Sequence, residues 1–225
     1  MIPEPVFRNR THAGWWLAQH LRRFRGPETV VLGIPRGGVI VAAEVARSLG
    51  AKLDVAIARK LPAPGQPEVA IGAVTPTGGV FLDAALIRWL GVGDPYLRGV
   101  IEKERQEAAR RERVFRAGAP AQSITGKVAI VVDDGLATGA TMCAAVRALK
   151  LAKPQRLVVA APVASPEACQ MLQREADEMV CPLEVPDFGA VGRFYEDFTQ
   201  TSDKEVQEAL GTSHDAPLVG AGGSK

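Results

Sequence analysis

The sequence predicts an α/β fold: an open, mostly parallel twisted sheet with helices on both faces, followed by a small C-terminal segment. Short continuous apolar runs at Thr29–Ile34, Lys127–Val132 and Arg156–Pro162 suit strands buried on both faces. Stretches with helical spacing separate them, and parallel neighbours require such crossovers. At 225 residues the chain is long enough for one well-buried domain and an appendage.

Taken in order, Thr11–Phe24 reads as a helix with Trp16, Leu17, Leu21 and Phe24 on one side. Strand Thr29–Ile34 ends at Pro35 and the Gly37-Gly38 pair. Helix Val39–Leu49 stops at Gly50, and strand Leu53–Ala58 completes a βαβ unit. From Lys60 to Gly79 prolines and glycines interrupt the pattern, which predicts a mobile loop and then a hairpin of Val69–Val74 with Gly79–Leu82. A short helix is expected over Ala84–Leu90. A long one follows over Pro95–Arg116, N-capped by Asp94, with a charge-rich solvated face.

After strand Lys127–Val132 come a turn at Asp133–Gly139, helix Ala140–Leu151, strand Arg156–Pro162, helix Pro166–Arg174 and a short strand Asp177–Cys181. Residues 182–200 are irregular and carry Phe188, Phe194, Tyr195 and Phe198. A helix capped by Ser202 spans Asp203–Leu210, and the Gly/Ser/Ala-rich end from Gly211 reads as a disordered tail. The expected domains are therefore a core over 1–181, an appendage over 182–210 and a tail over 211–225.

A net charge of +2 gives no reason to expect a nucleic-acid partner. Three cysteines without C-x-x-C spacing argue against a disulfide framework or zinc site and fit a reducing cytoplasm. The N-terminus lacks the apolar run of a secretory signal, and Leu157–Ala164 is too short to cross a bilayer.

The strongest chemical signal is the string from Val131 to Thr141. A buried strand delivers Asp133 and Asp134 to its C-terminal edge, where open parallel sheets bind ligands. The turn that follows opens a helix whose free N–H groups and dipole suit a phosphate. Thr138 and Thr141 add hydroxyl donors, and Gly139 permits close approach. Two carboxylates would repel a phosphate, so they should address a neighbouring donor, for which a ribose with free 2′ and 3′ hydroxyls is the natural candidate. The plain alternative is an Asx-type turn leading into a helix cap.

This string resembles the signature of the type I phosphoribosyltransferases, which bind 5-phosphoribosyl-1-pyrophosphate (PRPP). The resemblance runs in order from about Thr29 to Ala161, and more loosely to Leu210. It implies that Asp133 and Asp134 contact the ribose and that Ala137, Thr138, Gly139, Ala140 and Thr141 hold the 5′-phosphate. Gly135 departs from the family, which usually has an apolar residue there.

Gly33–Gly38 looks like the family's pyrophosphate loop, with Arg36, Gly37 and Gly38 on the diphosphate and a non-proline cis peptide between Pro35 and Arg36. Arg59 and Lys60 resemble the family's strand-end basic residues, followed by a lid; a basic strand end facing water is the plain alternative. Residues 182–200 occupy the place of the hood over the acceptor base, where Phe194 or Tyr195 would either stack on the base or simply pack the appendage.

By the same resemblance the reaction is a Mg²⁺-dependent transfer of phosphoribose to a nitrogen acceptor, with Asp133, Asp134, Arg36 and Lys60 as catalytic residues. The Mg²⁺ is carried mainly by the substrate, and the assembly is a homodimer. Ala137 stands where members using 6-oxopurines have Asp, so the loop looks more like that of the adenine and orotate members. A PRPP-sensing protein on the same fold is the rival reading. A PRPP-making pyrophosphokinase is disfavoured, because it would require an ATP site and no additional phosphate-binding motif offers one.

Overall fold

The structure, a computed structural model, describes residues 6–214. Five parallel strands form the central sheet: β1 (Thr29–Gly33), β2 (Lys52–Val55), β6 (Val128–Val132), β7 (Arg156–Ala160) and β9 (Glu178–Val180), in the spatial order β2-β1-β6-β7-β9. Successive side chains on a strand point to opposite faces. Val31, Ile130 and Val158 therefore face one side, where α1 (Arg10–His20), α2 (Gly37–Leu49), α4 (Asp94–Arg116) and α7 (Asp203–His214) pack. Val30, Leu32, Val131 and Val159 face the other, covered by α5 (Ala140–Lys150) and α6 (Pro166–Gln173). The apolar runs are strands because both of their faces are buried.

The cysteines are free; Cys143 and Cys169 are buried and Cys181 partly so. No described helix is long and apolar enough to cross a membrane.

The segment expected to be a mobile loop is ordered sheet. β3 (Arg59–Ala63) turns at Gly65 and pairs antiparallel with β4 (Gln66–Val74), which pairs in turn with β5 (Val80–Leu82). The expected β4–β5 hairpin is present. Pro62 lacks an N–H for the ladder, and the β3–β4 register shifts at that residue. Leu61, Ala63, Ile71 and Val74 give this sheet its own small core, packed by α3 (Ala84–Trp89) and α4. The Tyr96 hydroxyl donates to the Pro62 carbonyl at 2.9 Å and ties α4 to the hairpin. Proline and glycine mark the turns here, while inward-facing aliphatic residues between them build strand. On α4 the N-cap is Gly93, and Asp94 takes the first helical position.

The expected 182–210 appendage divides in two. β10 (Leu183–Glu184) pairs with β8 (Val163–Ala164), and a 3₁₀ turn at Val191–Phe194 packs on the N-terminal segment. α7 instead returns to the main domain, with Val206 and Leu210 buried in the core under α2 and α4. Ser202 caps it as expected, reciprocally with Glu205. The helix extends to His214, beyond the expected end at Leu210. Most of the expected tail, 215–225, lies outside the described residues.

Candidate active site

β1 and β6 are neighbours in register, with Gly33 opposite Val132, so the loops that leave their C-terminal ends must meet. Ile34 donates to the Val132 carbonyl at 2.8 Å, and the Pro35–Arg36 peptide is cis, as the resemblance implies. α2 then begins at Gly37 with Gly37-Gly38 laid directly on the acid pair. A Cβ on Gly38 would come within 2.8 Å of the Asp133 Cα and the Val132 carbonyl oxygen. One on Gly37 would stand 2.0 Å from Asp134 Oδ2. Backbone atoms behind Gly38 therefore require glycine there, and at Gly37 any side chain would have to displace the Asp134 carboxylate and the Arg10 guanidinium.

Asp133 accepts the Asp134 N–H at 2.9 Å through Oδ1. Burial, reinforced by the neighbouring Asp134, pushes its carboxyl well above the usual range. Burial also raises Asp134, against the opposing pull of Arg10. Arg10 was not among the sequence candidates. It comes from the start of α1, and its Nε lies 2.7 Å from Asp134 Oδ2. Its Nη1 donates to the Thr199 carbonyl at 2.8 Å, and its guanidinium sits 3.9 Å above the Phe198 ring. No local pattern marks this residue, because its carboxylate partner is 124 positions away.

The turn over residues 135–141 is anchored at its base and open at its tip. Leu136 donates to the Val163 carbonyl, and Ser165 Oγ donates to the Ala137 carbonyl at 2.6 Å while also capping α6. Gly139 caps α5 with φ of +69°, a left-handed conformation that favours glycine. Ala137, Thr138, Ala140 and Thr141 are exposed around it. Gly135, the departure from the family pattern, has a physical cause. A Cβ there would stand 2.5 Å from the side chain of Val191, so the hood supplies the apolar group from outside the loop.

A cleft of about 390 Å³ opens beside these loops, lined by Pro35, Arg59, Lys60, Glu104, Arg111 and Thr141 among others. The structure thus brings the two phosphate-type loops and the strand-end basic pair around one space. Asp133 and Asp134 are not in its lining; they are held against Gly37 and Gly38. Arg36 points along the rim to Asp203, 3.6 Å away on α7. Arg59 is already engaged, with its Nε and Nη2 at 2.8 and 2.7 Å from Oε2 of the buried Glu104. α4 therefore contributes Glu104 and Arg111 to the cleft, neither of which the sequence singled out.

Phe194 and Tyr195 do not serve as base platforms here. They are 1% and 5% exposed, packed among Phe7, Ala13, Val163 and Phe188, and that packing leaves no ring face for a base. Val6 and Phe7 donate their N–H groups to the Phe194 carbonyl, so the hood is built partly from the N-terminal segment. The Tyr195 hydroxyl, its pKa raised by burial, stays protonated and donates to the Asp134 carbonyl at 2.5 Å. Among the described residues no group of three or more His, Cys, Asp or Glu side chains could hold a metal.

This chain is 42% identical over 209 residues to a Mycobacterium tuberculosis protein provisionally named a phosphoribosyl transferase; the match takes in 93% of this chain. It spans 47%, about half, of that relative's length. A crystal structure from Thermus thermophilus shares 44% identity and a TM-score of 0.84, over 91% of this chain and 97% of that one. The sequence profile of the phosphoribosyl transferase domain matches residues 10–199, from the arginine on Asp134 to the carbonyl that fixes it. With that match over loops of this geometry, the chain belongs to the type I phosphoribosyltransferase family.

Proposed function

We propose that this chain transfers the 5-phosphoribosyl group of PRPP to a nitrogen of a small acceptor and releases pyrophosphate. The observation that carries the reading is the contact between Gly37-Gly38 and Asp133-Asp134 at the ends of two adjacent parallel strands, beside the exposed turn that opens α5. In the reaction the C1–O bond breaks, the electron pair leaves with pyrophosphate, and the acceptor nitrogen bonds to C1. Positive charge develops on the ribose and negative charge on the leaving group. Cations and amides placed where that charge grows lower the barrier.

In this reading Arg36, Lys60 and the amides of Gly37 and Gly38 hold the pyrophosphate, while Arg59, fixed by Glu104, keeps the strand-end basic pair in place. Ala137–Thr141 hold the 5′-phosphate, and Asp133 and Asp134 hold the ribose hydroxyls and offset its developing charge. Mg²⁺ commonly binds substrate phosphates while keeping several of its waters, and in this reading it is carried mainly by PRPP. When bound it supplies charge neutralisation of the diphosphate. Ala137 disfavours guanine and hypoxanthine as acceptors. A homodimer belongs to the same reading.

The test is pyrophosphate release from Mg-PRPP across a panel of bases, with PRPP binding followed in parallel. Base-dependent release supports the transferase and names its acceptor class. Tight binding without release turns the reading to a PRPP sensor. Absence of binding removes both.

A further inference from the structure

Arg10 is the side chain in which four separate parts of the molecule converge. It rises from the first turn of α1 and is mostly buried, with its side chain 11% exposed. Its Nε bonds Asp134 of the PRPP signature at 2.7 Å and would stand 2.6 Å from a Cβ on Gly37 of the pyrophosphate loop. Its other end is fixed by the hood, through the Thr199 carbonyl at 2.8 Å and the face of Phe198 at 3.9 Å. The hood closes the circuit from the opposite side, because Tyr195 packs in a tilted pair against Phe198 and donates to the backbone carbonyl of Asp134 itself. Asp134 is thus held at its side chain by Arg10 and at its backbone by Tyr195, and both holds depend on where residues 191–199 sit.

We propose, building on the transferase reading, that Arg10 is a positioning residue: it fixes the carboxylate of Asp134 for the ribose and makes that fixing conditional on the hood being seated. A carboxylate accepts at up to about four lone-pair sites, so one bond to Arg10 orients the group without using it up. The guanidinium supplies a planar, permanently charged fork that lysine reproduces only in charge. Stacking on Phe198 adds a cation–π contact that strengthens when water is excluded.

The electrostatics agree with the geometry. Charged or titratable groups facing Asp134 are Arg10 from α1, Asp133 from the same turn and Tyr195 from the hood. Burial works against ionisation of Asp134, and Arg10 is the cation that works for it. Arg10 is itself sensed by Asp197 and Glu205, on the hood and on α7. Without Arg10 the acid pair would be left buried with no cation, and Asp134 would take up a proton closer to neutrality.

The test compares Arg10→Ala, Arg10→Lys and Phe198→Leu with the native chain by three measurements. The first is the ¹³C titration of the Asp134 carboxyl without ligand. The second is hydrogen exchange over residues 191–199. The third is Mg-PRPP affinity as a function of pH. The titration midpoint of Asp134 is expected to move up in Arg10→Ala and to return most of the way in Arg10→Lys. Exchange over 191–199 is expected to accelerate in Arg10→Ala and, less strongly, in Phe198→Leu. PRPP affinity at pH 7 is expected to fall about tenfold in Arg10→Ala, the low end for a lost charge-assisted hydrogen bond, with the loss widening as pH falls.

An unmoved Asp134 midpoint, or unchanged exchange in the hood, overturns the proposal. So does an affinity loss that is independent of pH and equal in the lysine variant, because that is the mark of a strut. Should the alanine variant fail to fold, the lysine and Phe198 variants decide by the same readings. If the native chain binds no PRPP, the transferase reading fails by itself, while the titration and exchange still decide the role of Arg10.

Discussion

Asp134 at the end of β6 and Glu107 midway along α4 both lie beside arginine, yet their carboxyls move in opposite directions. Glu107 stands on a partly exposed helix face between Arg110 and Arg111, with bonds of 2.7–2.9 Å, and those bonds draw its pKa down to about 2. Asp134 has a bond of the same length to Arg10, but burial outweighs it and the carboxyl rises. Arginine contacts, three at Glu107 and one at Asp134, thus stabilise charge on the exposed carboxylate and only partly offset desolvation on the buried one. At the surface, charge is held by neighbours and solvent. In the buried corner it is held by neighbours alone, so it depends on geometry that residues 191–199 and the glycine loop supply.

The sharpest way to break this comparison is to disturb the packing that buries the acid pair. Gly38→Ala would press a methyl against the backbone of Asp133 and Val132, which cannot yield as a flexible side chain can. Mg-PRPP affinity by calorimetry is expected to fall by about a hundredfold, on the order of 2.7 kcal/mol. Retained affinity would mean that the acids and glycines do not act together. Next in size, Thr138→Val removes an exposed hydroxyl from the phosphate turn without touching the acids. The same titration should show a loss on the order of 1.5–3 kcal/mol. A negligible change would move the phosphate off this turn.

The pH behaviour separates the two environments by sign. Asp133 has a folded pKa above its unfolded one, so the folded chain binds the extra proton. Its contribution therefore destabilises the fold as pH rises from the ordinary carboxylate range through the raised folded value. Asp133→Asn keeps an acceptor for the Asp134 N–H, so thermal melts should show a melting point a few degrees higher near neutrality and a flatter pH dependence. An unchanged or lower value would show that Asp133 is ionised without penalty.

Glu107 is the reverse case and the smallest effect. Its depressed pKa gives stability that is present above the unfolded value of about 4.5 and lost as pH falls toward about 2. Glu107→Gln should shift the melting point barely at pH 7 and not at all in high salt, which screens an exposed pair. A large shift would mean that α4 depends on its charged face more than on its buried Val100, Ala108 and Phe115.

Much of the fold and the centre of the candidate site were legible in the sequence. β1, β6 and β7 declared themselves because strands covered on both faces must be apolar throughout. Gly37, Gly38, Asp133, Asp134 and Gly139 declared themselves because strand-to-helix loops are local, and their chemistry is set by a few adjacent residues. β3 was hidden by Pro62 and by the turn residues around it, although Leu61 and Ala63 face a small core that exists only once α3 and α4 fold over it. Phe194 and Tyr195 gave no sign of whether they faced a base or the protein. The answer rests with Phe7, which lies at the far end of the chain.

The sequence by itself determined the parallel sheet, the two strand-to-helix loops at its edge and the glycines in them, since each follows from patterns a few residues long. Tertiary structure alone decided that Arg10 clamps Asp134, that Glu104 occupies Arg59, that Val191 fills the space at Gly135 and that α7 returns to the core. Such contacts join positions from tens to well over a hundred residues apart. Short-range physics places residues on elements, and only the packing of those elements settles which charges share a dry corner.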